Sequence, residues 1–435
     1  MSLRENIPSH YLDLLEEPVA VFGHGAGGQA SAALLRRLGA KCVCYDERVG
    51  EDTEVLHEFT SKTARKHRLV VHSPAFRVDH PWIELALGQG CYVVSEIDFS
   101  QQFRNGPTVV VTGTNGKTTL QEFITFCLKR IGVSAVAVGQ NGYPLSRLAV
   151  HPELDGVTAV CELGPSYIRP LKEFRFDSLF WTNFHEDHLT DRSEIRKAFE
   201  GFRRLVNLCR NGQLYAGESV IRVAAELGCP MPESVRTARP EDYPDWDLPP
   251  SSAFATSIHR PALALFRRYW MDRGYADSLL KSAAEHFEVR AHRLHKVTRI
   301  GKTDFWNDAN SGNFAAALAA MDNFETPVVW IGGGNYRGGD LGEFLGHLQG
   351  KLRGAVITGN AAWHLLPVLE DKKVPCRGVL NLRQAVEAAF DLAAGEVPVV
   401  YSPGFLPGEE YGDHVERGIC FENAVLGLKH QKGTV

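Results

Sequence analysis

Residues 109–120 contain the residue types that bind a nucleoside triphosphate, in the spacing that such binding requires. Three valines predict a short buried strand, a glycine-containing turn follows, and Lys117 and Thr118 stand where a helix should begin. Backbone N–H groups in such a turn point at phosphate oxygens, and the helix N-terminus adds positive potential. The lysine reaches the β- and γ-phosphates, and the hydroxyl that follows it ligates Mg²⁺. The sequence therefore predicts binding of a nucleoside triphosphate with Mg²⁺.

Acidic and imidazole side chains follow later strands of the same segment. Strands are predicted at 135–138, 158–163 and 178–183, with Glu162 at the end of the second and His188 shortly after the third. Ligands of open α/β sheets lie outside the carboxyl ends of the strands, so both side chains are expected near the phosphates. Carboxylate oxygens are the ligands that Mg²⁺ prefers, whereas imidazole is a less usual ligand.

A glycine-rich turn, residues 23–28, also follows the first predicted strand of the chain, residues 18–22. It reads G-x-G-x-x-G, precedes a predicted helix at 30–38, and a second strand at 41–45 ends just before Asp46. This is the arrangement of a dinucleotide site with its ribose-binding acid. The same glycines would also let a helix pack closely on a strand, so both interpretations stay open at this point.

The remaining sequence predicts a third α/β segment. An irregular connection, rich in Pro, Glu and Ser, covers 222–257, and helical patterning resumes at 261–287. Three more strands are predicted at the end of the chain, at 327–331, 354–358 and 398–402.

The chain of 435 residues is too long for one hydrophobic core. We expect three α/β domains: a Rossmann-like domain at 1–105, a central phosphate-loop ATPase domain with a mostly parallel sheet at 106–297, and a C-terminal Rossmann-like domain at 298–435.

Composition excludes several classes of protein. A net charge of −5 argues against a nucleic-acid partner, because phosphate backbones require a basic surface. No apolar run reaches the ~18 residues of a membrane span, and the first residues lack the apolar core of a signal peptide. Of nine cysteines, only Cys42 and Cys44 lie close together, and no zinc pattern is completed. Free thiols in a cytoplasmic protein are expected.

The phosphate loop Thr112-Gly-Thr-Asn-Gly-Lys-Thr118 has Val111 where the common loop has its first glycine. It resembles the T-G-T-N-G-K-[ST] loop of the Mur ligase family, the ATP-dependent amide-forming enzymes of peptidoglycan precursor synthesis. Other segments resemble family motifs in the same order along nearly the whole chain. They are His72-Ser-Pro-Ala, Asp79-His-Pro, Ser95-Glu-Ile, Gln140-Asn-Gly, Glu162-Leu, Asn183-Phe-His-Glu-Asp-His188, His292-Arg-Leu, Asn307-Asp308, Ser402-Pro403 and Glu416-Arg-Gly418.

The resemblance implies a reaction and its substrates. The D-glutamate-adding member of the family is similar in length and has a single compact N-terminal domain. In that member, ATP phosphorylates the carboxylate of UDP-N-acetylmuramoyl-L-alanine, and the amine of D-glutamate attacks the acyl phosphate. We expect these small-molecule substrates, ATP and Mg²⁺ as cofactors, and a monomer. Two alternatives remain: a Mur-like ligase that adds L-alanine, a peptide or another amino acid, and a nucleotide-binding homologue that no longer ligates.

The resemblance also implies roles for individual residues. Lys117, Glu162 and His188 are the expected catalytic residues, and Thr118, Glu162 and His188 the expected metal shell. The residues expected to bind ATP are Gly113, Thr114, Asn115, Gly116, Lys117, Thr118 and Thr119, with Arg293 on phosphate and Asp308 on ribose. The residues expected to bind the other substrates are Asp46, Glu47, Arg48, Ser73, Asn141, Arg337 and Ser402.

Asp46, Glu47 and Arg48 resemble the uridine-contacting edge of the family's first domain. The first glycine-rich turn then binds the UDP part of a sugar nucleotide rather than NAD. Plainer structural roles stay open for other residues. Asn141 could form a turn, Ser73 could cap one, and Arg293 and Asp308 could each form a hinge salt bridge.

The sequence departs from the family pattern where the incoming amino acid would bind. Arg203 stands where many members have a lysine that is carbamylated in its active form, and arginine cannot carry that modification. Asn310 and Gly312 replace a lysine and a threonine, and Pro407 stands where a serine would hold the D-glutamate carboxylate. Arg337 could then replace a lysine that binds the side-chain carboxylate.

Overall fold

The computed structural model describes residues 7–48, 54–74, 76–186, 191–243, 246–249, 252–255, 259–408 and 410–432. Helices alternate with strands that form three sheets, of five, six and six strands. Every strand pair is parallel except one hairpin at the start of the third sheet. The predicted α/β fold with mostly parallel sheets is confirmed.

The first sheet has the order β3-β2-β1-β4-β5. Its elements are α1 (Ser9–Leu12), β1 (Val19–Phe22), α2 (Ala26–Arg37), β2 (Cys42–Tyr45), β3 (Val55–Leu56), α3 (Ser61–Ala64), β4 (Leu69–His72), α4 (Pro81–Gly88), β5 (Tyr92–Ser95) and α5 (Glu96–Gln101). The strands are largely buried because apolar clusters cover both faces of the sheet. The strand order reverses between β1 and β4, so the turns after these strands lie at the switch point where such sheets bind ligands.

The second sheet has the order β11-β10-β9-β6-β8-β7. Its strands and the helices between them are β6 (Thr108–Thr112), α6 (Lys117–Arg130), β7 (Ala135–Gly139), α7 (Leu145–Val150), β8 (Thr158–Glu162), α8 (Pro165–Ile168), β9 (Phe176–Trp181), α9 (Arg192–Leu208), β10 (Cys209–Ala216), α10 (Glu218–Glu226) and β11 (Val235–Arg236). Two further helices, α11 (Arg260–Asp272) and α12 (Asp277–His286), follow in the chain. Strand β6 lies between β8 and β9, so the carboxyl ends of these three strands are neighbours.

The third sheet has the order β12-β13-β17-β14-β15-β16. Its elements are β12 (His295–Ile300), β13 (Thr303–Asn307), α13 (Phe314–Met321), β14 (Val328–Gly333), α14 (Leu341–His347), β15 (Leu352–Thr358), α15 (Ala362–Asp371), β16 (Cys376–Gly378), α16 (Leu382–Ala393), β17 (Val399–Tyr401) and α17 (His414–Lys432). Two apolar clusters cover its faces.

Helix α2 begins at Ala26, one turn before the predicted start at residue 30. Consecutive glycines disfavour a helix on propensity alone. Packing overrides that preference, since a Cβ on Gly28 would lie 1.7 Å from the carbonyl oxygen of Gly23. The first glycine-rich turn therefore does provide the close packing of helix on strand that one of the two interpretations requires.

The chain divides into two compact units. One comprises residues 1–184, 197–245 and 262–283, and the other residues 185–196, 246–261 and 284–435. The first contains the first two sheets and the second contains the third sheet. The boundaries at 105/106 and 297/298 stay predictions. In the described part of the chain, no helix is both long and apolar enough to cross a bilayer. None of the nine cysteines forms a disulfide, so the predicted thiol state is confirmed.

Candidate active site

The phosphate loop connects β6 to α6, and α6 begins at Lys117 as predicted. The backbone of Gly113 has φ +136°, and a Cβ at this position would lie 2.2 Å from the Thr182 hydroxyl oxygen. Only glycine fits here, because both the backbone conformation and the neighbouring strand end exclude a side chain.

Two residues at the end of β9 hold this loop in place. The Thr182 hydroxyl donates to the Asn115 carbonyl at 2.7 Å, and the Asn183 side-chain oxygen accepts from the Asn115 N–H at 2.8 Å. The Thr114 N–H also donates to the Asn183 carbonyl at 3.1 Å. The sequence alone predicts no site role for Thr182 or Asn183. They directly follow a buried strand at the carboxyl edge of the sheet, and this position alone would have indicated a place near the ligand.

The Lys117 ammonium group lies against the loop. It donates to the carbonyl oxygens of Gly113 and Thr114, both at 2.9 Å. A positive charge is thereby held where the γ-phosphate of a bound nucleotide is expected.

Thr118, Asn141 and Glu162 form a closed hydrogen-bonded triangle. The Thr118 hydroxyl donates to Glu162 Oε2 at 2.8 Å, and Asn141 Nδ2 donates to Thr118 Oγ1 at 2.9 Å and to Glu162 Oε1 at 3.0 Å. Thr118 is only 4% exposed and Glu162 1%. The structure therefore brings together three residues, of which the first and last are 44 positions apart in the sequence.

The donor set of this triangle fits Mg²⁺. A hydroxyl and a carboxylate oxygen lie together beside the phosphate loop, and both are hard oxygen ligands. Within the described ranges, no group of three His, Cys, Asp or Glu side chains forms a metal site by itself. An ion here would therefore need phosphate oxygens or water to complete its shell. His188 lies outside the described residues.

Among the other residues predicted to bind ATP, the hydroxyl of Thr119 is buried and has no hydrogen-bond partner in the part of the chain that is described.

The residues predicted to bind the sugar nucleotide meet at the switch point of the first sheet. Asp46 accepts from the His24 N–H at 2.7 Å and from the Arg48 N–H at 2.9 Å, so its carboxylate fixes the glycine-rich turn. Ser73 is buried beside that turn, since a Cβ on Gly23 would lie 3.1 Å from the Ser73 Cβ. Glu47 lies 3.5 Å from the His80 ring, nitrogen to oxygen.

In the second unit, Asp308 and Ser402 lie together and are buried. The Ser402 hydroxyl donates to Asp308 Oδ2 at 2.8 Å, and the Leu294 N–H donates to Asp308 Oδ1 at 3.1 Å. Burial raises the pKa of Asp308 to about 7, although the Ser402 hydrogen bond and the charge of Arg293 act against this rise. Ser402 is fully buried, so the structure gives it a contact with Asp308 rather than an open substrate surface.

The backbone on both sides of Arg293 is strained. His292 and Leu294 have φ values of +67° and +47°, a region that side chains other than glycine rarely adopt. Asn307 helps to hold this conformation, donating to His292 Nδ1 at 2.8 Å and to Glu422 of α17 at 2.9 Å. The Glu416-Arg-Gly418 element acts similarly, because the buried Arg417 guanidinium donates to the carbonyls of Ala309, Ser311 and Phe405. The sequence analysis identifies this motif only as a resemblance and predicts no role for Arg417.

Arg337 is exposed and lines a groove at the carboxyl edge of the third sheet. The groove is lined by Gly312, Asn313, Phe314, Asn335, Arg337, Gly338, Gly404, Phe405 and Leu406. Neither Ser402 nor Pro407 belongs to this lining. Of the substituted residues, Gly312 does, and Leu406 approaches the position of its missing Cβ to 3.5 Å.

Arg203 lies on α9 and donates to the Pro230 carbonyl at 3.0 Å. This contact gives the arginine a structural role at the position where many family members have a carbamylated lysine.

Three mostly parallel sheets and a phosphate loop with an adjacent carboxylate are the fold and the site of an α/β nucleotide-binding protein. Residues 111–222 match the model of the Mur ligase middle domain. The predicted resemblance to the Mur ligase family is thereby confirmed.

Relatives named UDP-N-acetylmuramoylalanine–D-glutamate ligase match nearly the whole chain. The relative from Leuconostoc mesenteroides is 24% identical, over 96% of this chain and 98% of its own length. The relative from Gloeobacter violaceus is 28% identical, over 94% and 99%. Among solved structures, UDP-N-acetylmuramate-alanine ligase from Thermotoga maritima has the same fold. Its TM-score is 0.58 at 16% identity, over 95% of this chain and all of the other.

Proposed function

We propose that this protein is an ATP-dependent amide ligase that adds D-glutamate to UDP-N-acetylmuramoyl-L-alanine in peptidoglycan precursor synthesis. The observation that carries the proposal is the closed triangle of Thr118, Asn141 and Glu162 beside Lys117. Full-length similarity to D-glutamate ligases supports the choice of substrates.

The reaction proceeds through an acyl phosphate because a carboxylate is a poor electrophile. A carboxylate oxygen of UDP-N-acetylmuramoyl-L-alanine attacks the γ-phosphorus of ATP, and ADP leaves. The amine of D-glutamate then attacks the carbonyl carbon, loses a proton and expels phosphate, so that an amide replaces the acyl phosphate. Phosphoryl transfer of this kind depends on positioning and on electrostatic stabilisation.

Residues at the carboxyl edge of the second sheet provide that stabilisation. The Lys117 ammonium group neutralises charge on the γ-phosphate, and Thr118 and Glu162 would hold Mg²⁺. When bound, Mg²⁺ neutralises the phosphate charge that develops during transfer. Asn141 fixes the positions of the Thr118 hydroxyl and the Glu162 carboxylate by donating a hydrogen bond to each. Asn141 is itself exposed, so it is also available to a substrate. His188 joins this shell in the proposal, although its placement is not described.

The first sheet holds the UDP group of the sugar nucleotide. The glycine-rich turn and the N-terminus of α2 face the diphosphate, Ser73 contacts the diphosphate or sugar, and residues 46–48 contact the uridine. Arg293 and Asp308, in the second compact unit, stay the predicted contacts of a nucleotide phosphate and of its ribose, and Ser402 fixes the Asp308 carboxyl. A monomeric state and a cytoplasmic location stay predictions.

A second candidate is a ligase of the same chemistry that adds another amino acid. The groove beside Arg337 favours it, because Gly312, Phe405 and Leu406 leave that surface largely apolar. D-Glutamate has two carboxylates to place there, so selectivity for the amino acid separates the two candidates.

The proposal is tested with UDP-N-acetylmuramoyl-L-alanine whose carboxylate carries ¹⁸O. With ATP and D-glutamate, the released phosphate should contain one ¹⁸O atom, and the sugar nucleotide should gain the mass of a glutamyl residue. ATP hydrolysis without label transfer, or label transfer without any ligated product, would contradict the proposal.

A further inference from the structure

Glu96 caps helix α7, which follows the turn after β7 and packs against α2 and α5. It stands at the start of α5, directly after the last strand of the first sheet, and is 2% exposed. Its Oε1 accepts from both the backbone N–H and the hydroxyl of Ser146, each at 2.6 Å. Helix α7 has Pro144 at its N-cap position and no side-chain cap of its own. Glu96 therefore supplies the acceptor that a helix N-terminus requires.

The turn that precedes α7 carries Asn141. Its backbone is fixed to the second sheet, since the Gln140 N–H donates to the Glu162 carbonyl at 3.0 Å and the Tyr143 N–H to the Ala137 carbonyl at 3.2 Å. Only four residues separate Asn141 from Ser146. A shift at the start of α7 would therefore be transmitted to the Asn141 side chain, which bonds to Thr118 and Glu162.

We propose that Glu96 is a positioning residue for the metal-binding pair Thr118 and Glu162. It fixes the start of α7, the start of α7 fixes the turn, and the turn holds Asn141 in place. The inference rests on the proposed Mg²⁺–nucleotide site and extends that site to a residue which contacts neither nucleotide nor metal. It also gives the first sheet a part in organising the second one.

Asp98 offers a matched control on the same helix. It is also fully buried, and it accepts from the backbone N–H groups of Lys172 at 3.0 Å and Phe174 at 2.7 Å. Asp98 therefore ties α5 to the segment before β9 through a buried carboxylate that accepts backbone N–H groups, as Glu96 ties α5 to α7. Its partners, however, lie in another segment from the turn that carries Asn141.

The test is Mg²⁺-dependent binding of a non-hydrolysable ATP analogue to the full chain, measured by calorimetry over a series of Mg²⁺ concentrations. Glu96→Ala should raise the half-saturating Mg²⁺ concentration about tenfold, and Asn141→Ala at least as much. The double variant Glu96→Ala/Asn141→Ala should match Asn141→Ala alone, because both changes act through one side chain. Asp98→Asn should leave the half-saturating concentration unchanged, whatever it does to thermal stability.

Glu96→Gln keeps an acceptor oxygen of the same size and should give a smaller rise, about threefold. It carries the test if Glu96→Ala does not fold. Additive effects of the Glu96 and Asn141 changes, or a Glu96 variant that binds like Asp98→Asn, would overturn the inference. The readout needs no ligation, so a wild-type protein that binds the analogue with Mg²⁺ but forms no amide would refute only the proposed reaction.

Discussion

The phosphate-loop region and the groove beside Arg337 differ in how their polar groups are held. Around the phosphate loop, Thr118 and Glu162 are buried and each makes two hydrogen bonds within one triangle. In the groove, the cationic side chain is exposed and its neighbours are glycines, amides and apolar residues. The groups proposed to activate a carboxylate are therefore fixed before any substrate binds. The groups proposed to choose the amine are not.

This difference has a physical reason. Stabilising charge on a transferring phosphoryl group requires dipoles and charges that do not have to reorganise, and a buried, fully bonded network meets that requirement. Recognition of an amino acid needs only a few well-placed groups on a loop. The departure from the family pattern at Gly312, which lines the groove, is therefore expected to change which amine binds before it changes the chemistry.

The largest expected effect is that of Lys117→Ala. Turnover should fall about a thousandfold or more, because the variant loses the positive charge that neutralises the transferring phosphate. The melting temperature should stay near that of the wild type, since Lys117 donates to carbonyl oxygens of its own loop, which Thr182 and Asn183 hold independently. Lys129→Ala, an exposed change on the same helix, is the control. An active Lys117→Ala enzyme would remove the phosphate loop from the proposed mechanism.

Glu162→Gln should have the next largest effect. It keeps the shape of the triangle but removes the carboxylate charge, so turnover at low Mg²⁺ should fall about a hundredfold and recover in part at high Mg²⁺. Steady-state rates over a Mg²⁺ series measure this. Thr118→Ser, which keeps the hydroxyl, should remain close to the wild type, and equal losses in both variants would argue against a metal at this pair.

Arg337→Ala tests the other side of the comparison. Loss of a charge-assisted hydrogen bond to a carboxylate should raise KM for the amino acid about tenfold to a hundredfold and leave KM for ATP unchanged. Arg353→Ala is the matched control, because that exposed arginine is near the amino end of β15 and pairs with Glu396. An unchanged KM for the amino acid would place the amine elsewhere.

Asp308→Asn should change how stability depends on pH. Burial raises the pKa of Asp308 to about 7 from its ordinary value of 3.8. Between these values the folded protein keeps a proton that the unfolded chain releases, so this residue lowers the free energy of unfolding as pH rises. The asparagine variant should lack this loss, which amounts to at most about 4 kcal/mol. Thermal unfolding at pH 5 and pH 8 compares the two, and parallel curves would contradict the assignment.

The smallest expected effect is that of bicarbonate. Because Arg203 cannot be carbamylated, added bicarbonate should not activate the enzyme. Rates with and without bicarbonate, after removal of dissolved carbon dioxide, measure this. Clear activation would mean that another residue provides the modified side chain.

Local patterns predicted much of the fold and the centre of the site. Buried valine runs and glycine-rich turns marked β1 and β6 and the helix start at Lys117, and the position of Glu162 at a strand end predicted its meeting with Thr118. The hairpin of β12 and β13 was missed, since its half-exposed, mostly polar strands lack an apolar run. The support from Asn183 and Glu96 was missed because it depends on contacts between residues 50 or more positions apart.

The central claim is most directly tested by phosphate release from ATP and Mg²⁺ with UDP-N-acetylmuramoyl-L-alanine and single amino acids, D-glutamate among them. Phosphate release should require both the sugar nucleotide and D-glutamate, and it should be absent in Lys117→Ala. Release with a different amino acid would establish a ligase of other specificity, and no release with any of them would contradict the account.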